Sequence, residues 1–164
     1  MLLICTASSG HNLTLAKTLS QMADGVDIQN KILDLTATGL PLFTPAREAE
    51  GRPRALDPVE ADFSAATAML MVAPEYNGST PPTLSNTIAW LSTQSEDFRA
   101  LFSEKPIGLA THSGGGGQKV LVAMRLQFSH LGATVIGREL LTNFGKPLNE
   151  DSAKAVLGTL SALA

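Results

Sequence analysis

The sequence predicts an α/β protein in which one parallel β-sheet lies between two layers of helices. Short apolar runs alternate about five times with segments whose apolar residues recur at helical spacing, a pattern typical of parallel sheets with crossover helices. The run Ala68–Ala73 is continuously apolar, as expected for a strand covered on both faces. With 164 residues, of which 44% are hydrophobic, the chain is predicted to form a single domain, residues 1–164.

Each element follows from a local pattern. The predicted strands are Leu2–Cys5, Val26–Leu35, Ala68–Ala73, Ile107–Ala110 and Ala133–Ile136. The predicted helices run from the N-cap Asn12 to Gly25, from the cap Asp57 onward, from Pro81 and Pro82, from Leu121 to Gly132, and from Asp151. Residues 36–56 are rich in glycine and proline and are predicted to form a long surface loop. Right-handed crossovers then give a three-layer sandwich, and five strands fit the flavodoxin-like order 2-1-3-4-5.

Charge and composition exclude several classes of function. The net charge of −3 provides no basic surface for nucleic acid. No apolar run approaches the roughly 20 residues that span a bilayer, so no membrane association is expected. The single cysteine, Cys5, excludes an internal disulfide and indicates a reducing compartment, the cytoplasm. The histidines, His11, His112 and His130, do not have metal-ligand spacing, so no metal site is predicted.

Three loops at the carboxyl ends of predicted strands carry the functional signal. In the order 2-1-3-4-5, residues 6–13, 74–82 and 111–118 line one crevice, where such sheets bind ligands. The first loop has several hydroxyls and leads into a helix N-terminus, which suits a phosphate; an ordinary capped turn is the alternative. Cys5 lies in the apolar strand and the loop contains no arginine, so a cysteine phosphatase is disfavoured.

The second and third loops suit a planar ligand. The second loop contains two adjacent prolines and the only tyrosine, Tyr76, which could form a flat wall; a rigid surface turn is the alternative. The third loop contains Gly114–Gly117, whose lack of side chains lets backbone amides approach a ring edge; a flexible linker is the alternative. Glu75 is the only acid in the three loops, so no carboxylate pair for acid–base catalysis is present.

These motifs resemble those of the NADPH-dependent FMN reductase family, whose fold is flavodoxin-like. The most specific part is Pro74–Ser79 followed by Pro81, Leu84, Asn86, Ile88, Trp90 and Leu91. Further similar segments follow in the family's order, at Lys105–Gly108, Ser113–Gly117, Arg125–Leu126 and Leu131–Ala133. The first loop departs from the family pattern because it is shorter and lacks an arginine.

The resemblance implies FMN as cofactor, NADPH or NADH as co-substrate, and a homodimer or homotetramer. It places the FMN phosphate in the first loop, at Thr6, Ser8, His11, Asn12 and Leu13. It places the ring against the second loop, at Pro74, Glu75, Tyr76 and Asn77. It places the pyrimidine edge at the third loop, at Ser113, Gly114, Gly115 and Gly116.

The expected function is that of an FMN-dependent NAD(P)H oxidoreductase. It would reduce a small flavin, quinone or azo-type acceptor by hydride transfer through bound FMN, without a catalytic acid or base from the protein. One alternative is a non-enzymatic electron carrier or flavin-binding interaction module, which the small net charge of −3 disfavours. A second alternative is a phosphate-ester enzyme that uses the first loop.

Overall fold

In the part of the chain that the structure describes, five strands form one parallel sheet. The computed structural model describes residues 1–93 and 95–164. The strands are β1 (Leu2–Thr6), β2 (Asn30–Asp34), β3 (Ala68–Val72), β4 (Pro106–His112) and β5 (Thr134–Thr142). Their order is β2-β1-β3-β4-β5, and every neighbouring pair is parallel. The predicted fold class and strand order are confirmed.

Helices cover both faces of the sheet. They are α1 (His11–Asp24), α2 (Pro45–Ala49), α3 (Leu56–Ala65), α4 (Pro82–Ser92), α5 (Gln118–His130) and α6 (Glu150–Leu163). One core contains the buried residues of α1 and α6, and the other contains those of α3, α4 and α5. None of the described helices is long and apolar enough to cross a membrane.

The alternation of side chains along the central strands separates these two cores. Leu3 and Cys5 of β1 face the layer of α3, α4 and α5, whereas Leu2 and Ile4 face α1 and α6. Every residue of β1 and β3 is buried, which explains their unbroken apolar runs. The central strands therefore hold the loops at their carboxyl ends on a rigid base.

Two predicted helix caps are wrong. Helix α1 begins at His11 with Gly10 as N-cap, two residues before the predicted cap, and Asn12 is buried inside its first turn. Helix α3 begins at Leu56, so Asp57 lies in the helix, where its carboxylate accepts a hydrogen bond from Arg52 Nε at 2.8 Å. The side chain of Asn12 bonds instead to the backbone of His112, 100 residues away, and that of Asp57 bonds to Arg52, five residues before it.

Strand β5 is longer than predicted. Its predicted end was Ile136, but the strand continues to Thr142 after a register irregularity opposite β4, at which Leu109 pairs with Glu139. The polar stretch after Ile136 breaks the apolar pattern, and the bulge accommodates it. Arg125 of α5 stabilises the bulge, because it bonds to Glu139 and to the carbonyl of Ile136.

The predicted long loop is partly ordered against α4. It contains a turn of 3-10 helix at Leu35–Ala37 and the short helix α2. The carbonyl of Pro41 accepts hydrogen bonds from Trp90 Nε1 at 2.8 Å and from Asn86 Nδ2 at 3.0 Å. The N–H of Phe43 donates to Asn86 Oδ1 at 2.7 Å, so Asn86 and Trp90 of α4 together hold this segment in place.

Candidate functional site

The three predicted loops start side by side at the carboxyl edge of the sheet. Beyond β1, the N–H of Ala7 donates to Val72, and beyond β3 the N–H of Ala73 donates to Ala110. The hydroxyl of Thr83 in α4 donates to the carbonyl of Ala7 at 2.9 Å, which ties the first loop to the second. The predicted grouping of the loops is therefore confirmed.

The first loop presents unpaired backbone donors at the N-terminus of α1. Among the described residues, no acceptor is found for the N–H groups of residues 8–13. Thr6 is fully buried, and its hydroxyl donates to the carbonyl of Ser8 at 3.0 Å, so it braces the loop. Since the helix dipole adds positive character here, the loop suits a phosphate without an arginine.

Asn12 joins α1 to β4. Its Nδ2 donates to the carbonyl of His112 at 2.9 Å, and its Oδ1 accepts from the N–H of His112 at 2.7 Å. Asn12 is only 2% exposed, so its side chain is committed to this bridge. What Asn12 can offer a ligand is its backbone N–H, and its amide instead aligns the first loop with the third.

The second loop contains a tight two-residue turn. Tyr76 and Ser79 exchange backbone hydrogen bonds of 3.1 and 3.0 Å across Asn77 and Gly78. Both central residues have positive φ, +52° and +75°, as in a type I′ turn, for which Asn-Gly is the preferred pair. This turn holds Tyr76 at the rim with half of its surface exposed, where a planar ligand can contact it.

Replacing Tyr76 and Asn77 together with alanine is expected to weaken FMN binding about tenfold or more, which corresponds to about 1.4 kcal/mol. The change removes the aromatic wall and places alanine at a positive φ that disfavours it. A fluorescence titration with FMN measures the effect. Asn77→Gly keeps the turn and serves as the control, and an unchanged affinity in the double variant would show that the ring lies elsewhere.

The third loop presents backbone atoms with few side chains, and its residues 113–117 are called the glycine cradle below. Ser113 is buried, and its Oγ accepts from the N–H of Gly115 at 3.1 Å. The N–H groups of Gly114 and Gly116 have no acceptor among the described residues, and both glycines are exposed. Gly117 is buried with φ +77° and ends the loop. A ring edge can therefore meet several donors without side chains in the way.

An aromatic cluster lies beside the first and third loops. The rings of His11 and His112 stack with centroids 4.7 Å apart, and Phe144 packs edge-on against both at 5.3 Å. A cavity of about 210 Å³ adjoins the two histidines, and it is also lined by Thr14 and Thr142. Phe144 is 74% exposed, so this cluster forms an open margin of the site.

The hydrogen bonds of His112 indicate its tautomer. The hydroxyl of Thr142 donates to the carbonyl of Thr111 at 3.0 Å, so it can only accept from His112 Nδ1, which lies 3.1 Å away. Neutral His112 therefore has its proton on Nδ1, and the buried Nε2 is an acceptor that has no partner among the described residues. Burial lowers the pKa of His112 from its ordinary value of 6.5, and the charge of His11 lowers it further.

This lowered pKa predicts a loss of stability in acid. The unfolded chain takes up a proton on His112 below about pH 6.5, whereas the folded protein resists it, so stability falls as the pH falls through that value. The free energy of unfolding in urea, measured at pH 7.5 and 5.5, is expected to drop more for the native protein than for His112→Gln. An equal drop in both would contradict the assignment.

Two other kinds of chemistry find no support in the site. Among residues 1–93 and 95–164, no group of histidine, cysteine, aspartate and glutamate side chains is arranged to hold a metal. Cys5 is buried, which raises the pKa of its thiol far above the ordinary value, and the charge of Asp62 raises it further. A thiolate nucleophile at the first loop is therefore not available.

Comparison with known proteins identifies the chain. The sequence profile of the NADPH-dependent FMN reductases matches residues 1–146. The chain belongs to this family. FMN is its cofactor, NADPH or NADH is its co-substrate, and it is an FMN-dependent NAD(P)H oxidoreductase. No curated protein is significantly similar to it in sequence.

Solved structures share the fold. The flavoenzyme NAD(P)H:(acceptor) oxidoreductase FerB from Paracoccus denitrificans has a TM-score of 0.76 at 19% identity, over 99% of this chain and 93% of that one. A flavodoxin from the Archaea has a TM-score of 0.68 at 11% identity, over 99% of both chains. The general stress protein 14 from Treponema denticola, in complex with FMN, has a TM-score of 0.62 at 16% identity, over 99% and 98%. At these identities the likeness shows the flavodoxin-like fold alone.

The residues present in this family member fit FMN. Among the described residues, the N–H groups of residues 8–13 and of Gly114 and Gly116 have no acceptor, and such donors suit a phosphate and the pyrimidine edge of a flavin. The Nε2 of His112, the residue whose backbone bonds to Asn12, is a further buried acceptor beside the third loop. Glu75 is the one acid of the three loops, and its carboxylate is bonded to the first turn of α5.

The sequence patterns did not identify three residues beside the site. Thr142 and Phe144 were missed because β5 was predicted to end at Ile136, which left the loop after it out of the crevice. The apolar pair Leu140 and Leu141 was the signal that the strand resumes. Thr83 was missed because its contact with the first loop spans 76 residues of sequence.

Proposed function

We propose that FMN binds across the three loops of this site. Its phosphate would accept hydrogen bonds from the backbone of residues 8–13, with His11 beside it. Its ring would lie against Pro74 and Tyr76, and its pyrimidine edge would meet Ser113–Gly116. The single observation that carries this placement is that unpaired N–H groups of the first and third loops converge on one rim of the sheet.

The site favours acceptors that can stack on a ring, and we propose flavin, quinone or azo-type compounds. When bound, FMN supplies the redox chemistry, accepting a hydride from NAD(P)H and passing two electrons with their protons to the acceptor. The protein's own contribution is to fix positions. The Tyr76–Ser79 turn forms a wall, the glycines donate hydrogen bonds, and the exposed face of Tyr76 leaves room for a planar partner.

Anaerobic reduction of the FMN-loaded protein tests this proposal. NADPH or NADH is expected to bleach the flavin absorbance, and a quinone, an azo dye or free FMN added afterwards is expected to restore it. Absorbance that remains unbleached would favour an electron carrier instead. Bleaching that no such acceptor reverses would contradict the proposed acceptor class.

We further propose a homodimer or homotetramer in the cytoplasm. Val122 and Leu126 of α5 are 65% and 74% exposed, and Tyr76 is also exposed, so an apolar surface is present that a second copy could cover. The free, buried Cys5 is consistent with a reducing compartment. Light scattering of the purified protein gives the oligomeric state, and a monomer at micromolar concentration would contradict this part.

A further inference from the structure

Glu75 spans the second and third loops. Its Oε2 accepts hydrogen bonds from the N–H groups of Lys119 at 3.1 Å and Val120 at 3.4 Å, in the first turn of α5. Helix α5 has no cap of its own, because its N-cap is Gly117 and its first turn contains no acidic residue. A carboxylate 44 residues earlier in the chain therefore caps this helix.

Glu75 also stands between the two surfaces that the ring would contact. Tyr76 and Asn77 follow it directly, and the glycine cradle ends where α5 begins. The bond from Glu75 to α5 therefore links the loop that carries Tyr76 to the end of the glycine cradle. Among the described residues, Glu75 is the only acidic side chain of the three loops that bonds to α5.

The same contact affects the charge of the site. The N-terminus of a helix carries about half a positive charge, and here the unpaired N–H groups of Gly114 and Gly116 lie next to it. Reduction of a flavin brings negative charge toward its pyrimidine edge, which a positive helix end would stabilise. The carboxylate of Glu75 is bonded to that positive end and offsets part of its charge.

We propose that Glu75 is a positioning residue, which joins the ring-binding loops and lowers the reduction potential of bound FMN by neutralising the N-terminus of α5. This inference rests on the proposed placement of FMN. In this proposal the carboxylate of Glu75 contacts α5 and does not contact FMN. Glutamine can still accept the hydrogen bonds but lacks the charge, whereas alanine lacks both.

The test compares Glu75→Gln and Glu75→Ala with the native full-length protein loaded with FMN. Glu75→Gln is expected to change the affinity for oxidised FMN less than threefold. The ratio of the affinity for reduced FMN to that for oxidised FMN is expected to rise up to tenfold. A tenfold change in that ratio raises a two-electron potential by about 30 mV. Glu75→Ala is expected to raise the potential similarly and also to weaken FMN binding about tenfold, since the loops lose their link.

Glu150→Gln is the matched control. Glu150 lies in the first turn of α6, which packs on the other face of the sheet, and its replacement removes the same charge. It is expected to leave the potential unchanged, and Lys119 keeps its charge in all variants. A potential that stays unchanged in folded Glu75→Gln and Glu75→Ala would overturn the inference. Native protein that binds no FMN would instead contradict the proposed function and, with it, this inference.

Discussion

Replacing Gly117 with alanine is expected to destabilise the protein by roughly 2–4 kcal/mol and to weaken FMN binding at least tenfold. Gly117 has φ +77°, a conformation that a side chain disfavours. A Cβ there would lie 3.1 Å from Thr111 Cγ2 and 3.2 Å from Ser113 Cβ. These neighbours are buried, so the backbone of the third loop must shift, and the proposed contact of its N–H groups with FMN would be disturbed. Urea unfolding and FMN titration measure the two effects.

Gly137→Ala is the control for this prediction. Gly137 lies in β5 at an ordinary φ, and a Cβ there would meet nothing within 4 Å. Its replacement is expected to change stability by less than about 0.5 kcal/mol and leave FMN affinity unchanged. If Gly117→Ala bound FMN as tightly as Gly137→Ala, the third loop would not be part of the cofactor site.

Replacing Asn12 with alanine is expected to cost about 2–3 kcal/mol of stability, because it leaves the N–H and carbonyl of His112 without their partner. The first and third loops would also lose their alignment, so FMN affinity is expected to fall about tenfold. Thermal unfolding and FMN titration give both values.

Asn149→Ala is the matched control for Asn12. Asn149 is exposed and caps α6, where its Oδ1 accepts from the N–H of Ser152 at 2.8 Å. Its loss is expected to cost about 1 kcal/mol without a change in FMN affinity. Should Asn12→Ala lose stability but bind FMN normally, the bridge would serve the fold alone.

The sheet could be predicted because burial leaves a direct trace in the sequence. The central strands β1 and β3 are covered on both faces, so their apolar runs are unbroken. The edge strand β5 is half exposed and contains a bulge, and its polar middle concealed the second half of the strand. Local patterns identify such strands poorly, because solvent on one side relaxes the demand for apolar residues.

The site could be predicted as a set of loops but not as a set of contacts. Turn chemistry at Asn77 and Gly78 is local, and the sequence shows it directly. Asn12 bonds to a residue 100 positions away, so local capping rules assigned it the wrong role. Glu75 caps a helix by bonding to a residue 44 positions later, so the same rules assigned it no role in capping. Only tertiary structure reveals that both side chains hold the loops in position.

Titration of ¹⁵N-labelled protein with FMN, followed through its backbone amide resonances, tests the central claim most directly. FMN held at the carboxyl edge of the sheet is expected to shift the amides of residues 8–13, Tyr76, Asn77 and Gly114–Gly116 more than all others. Shifts that concentrate on α6 or on the opposite edge of the sheet, or the absence of any shift at millimolar FMN, would contradict it.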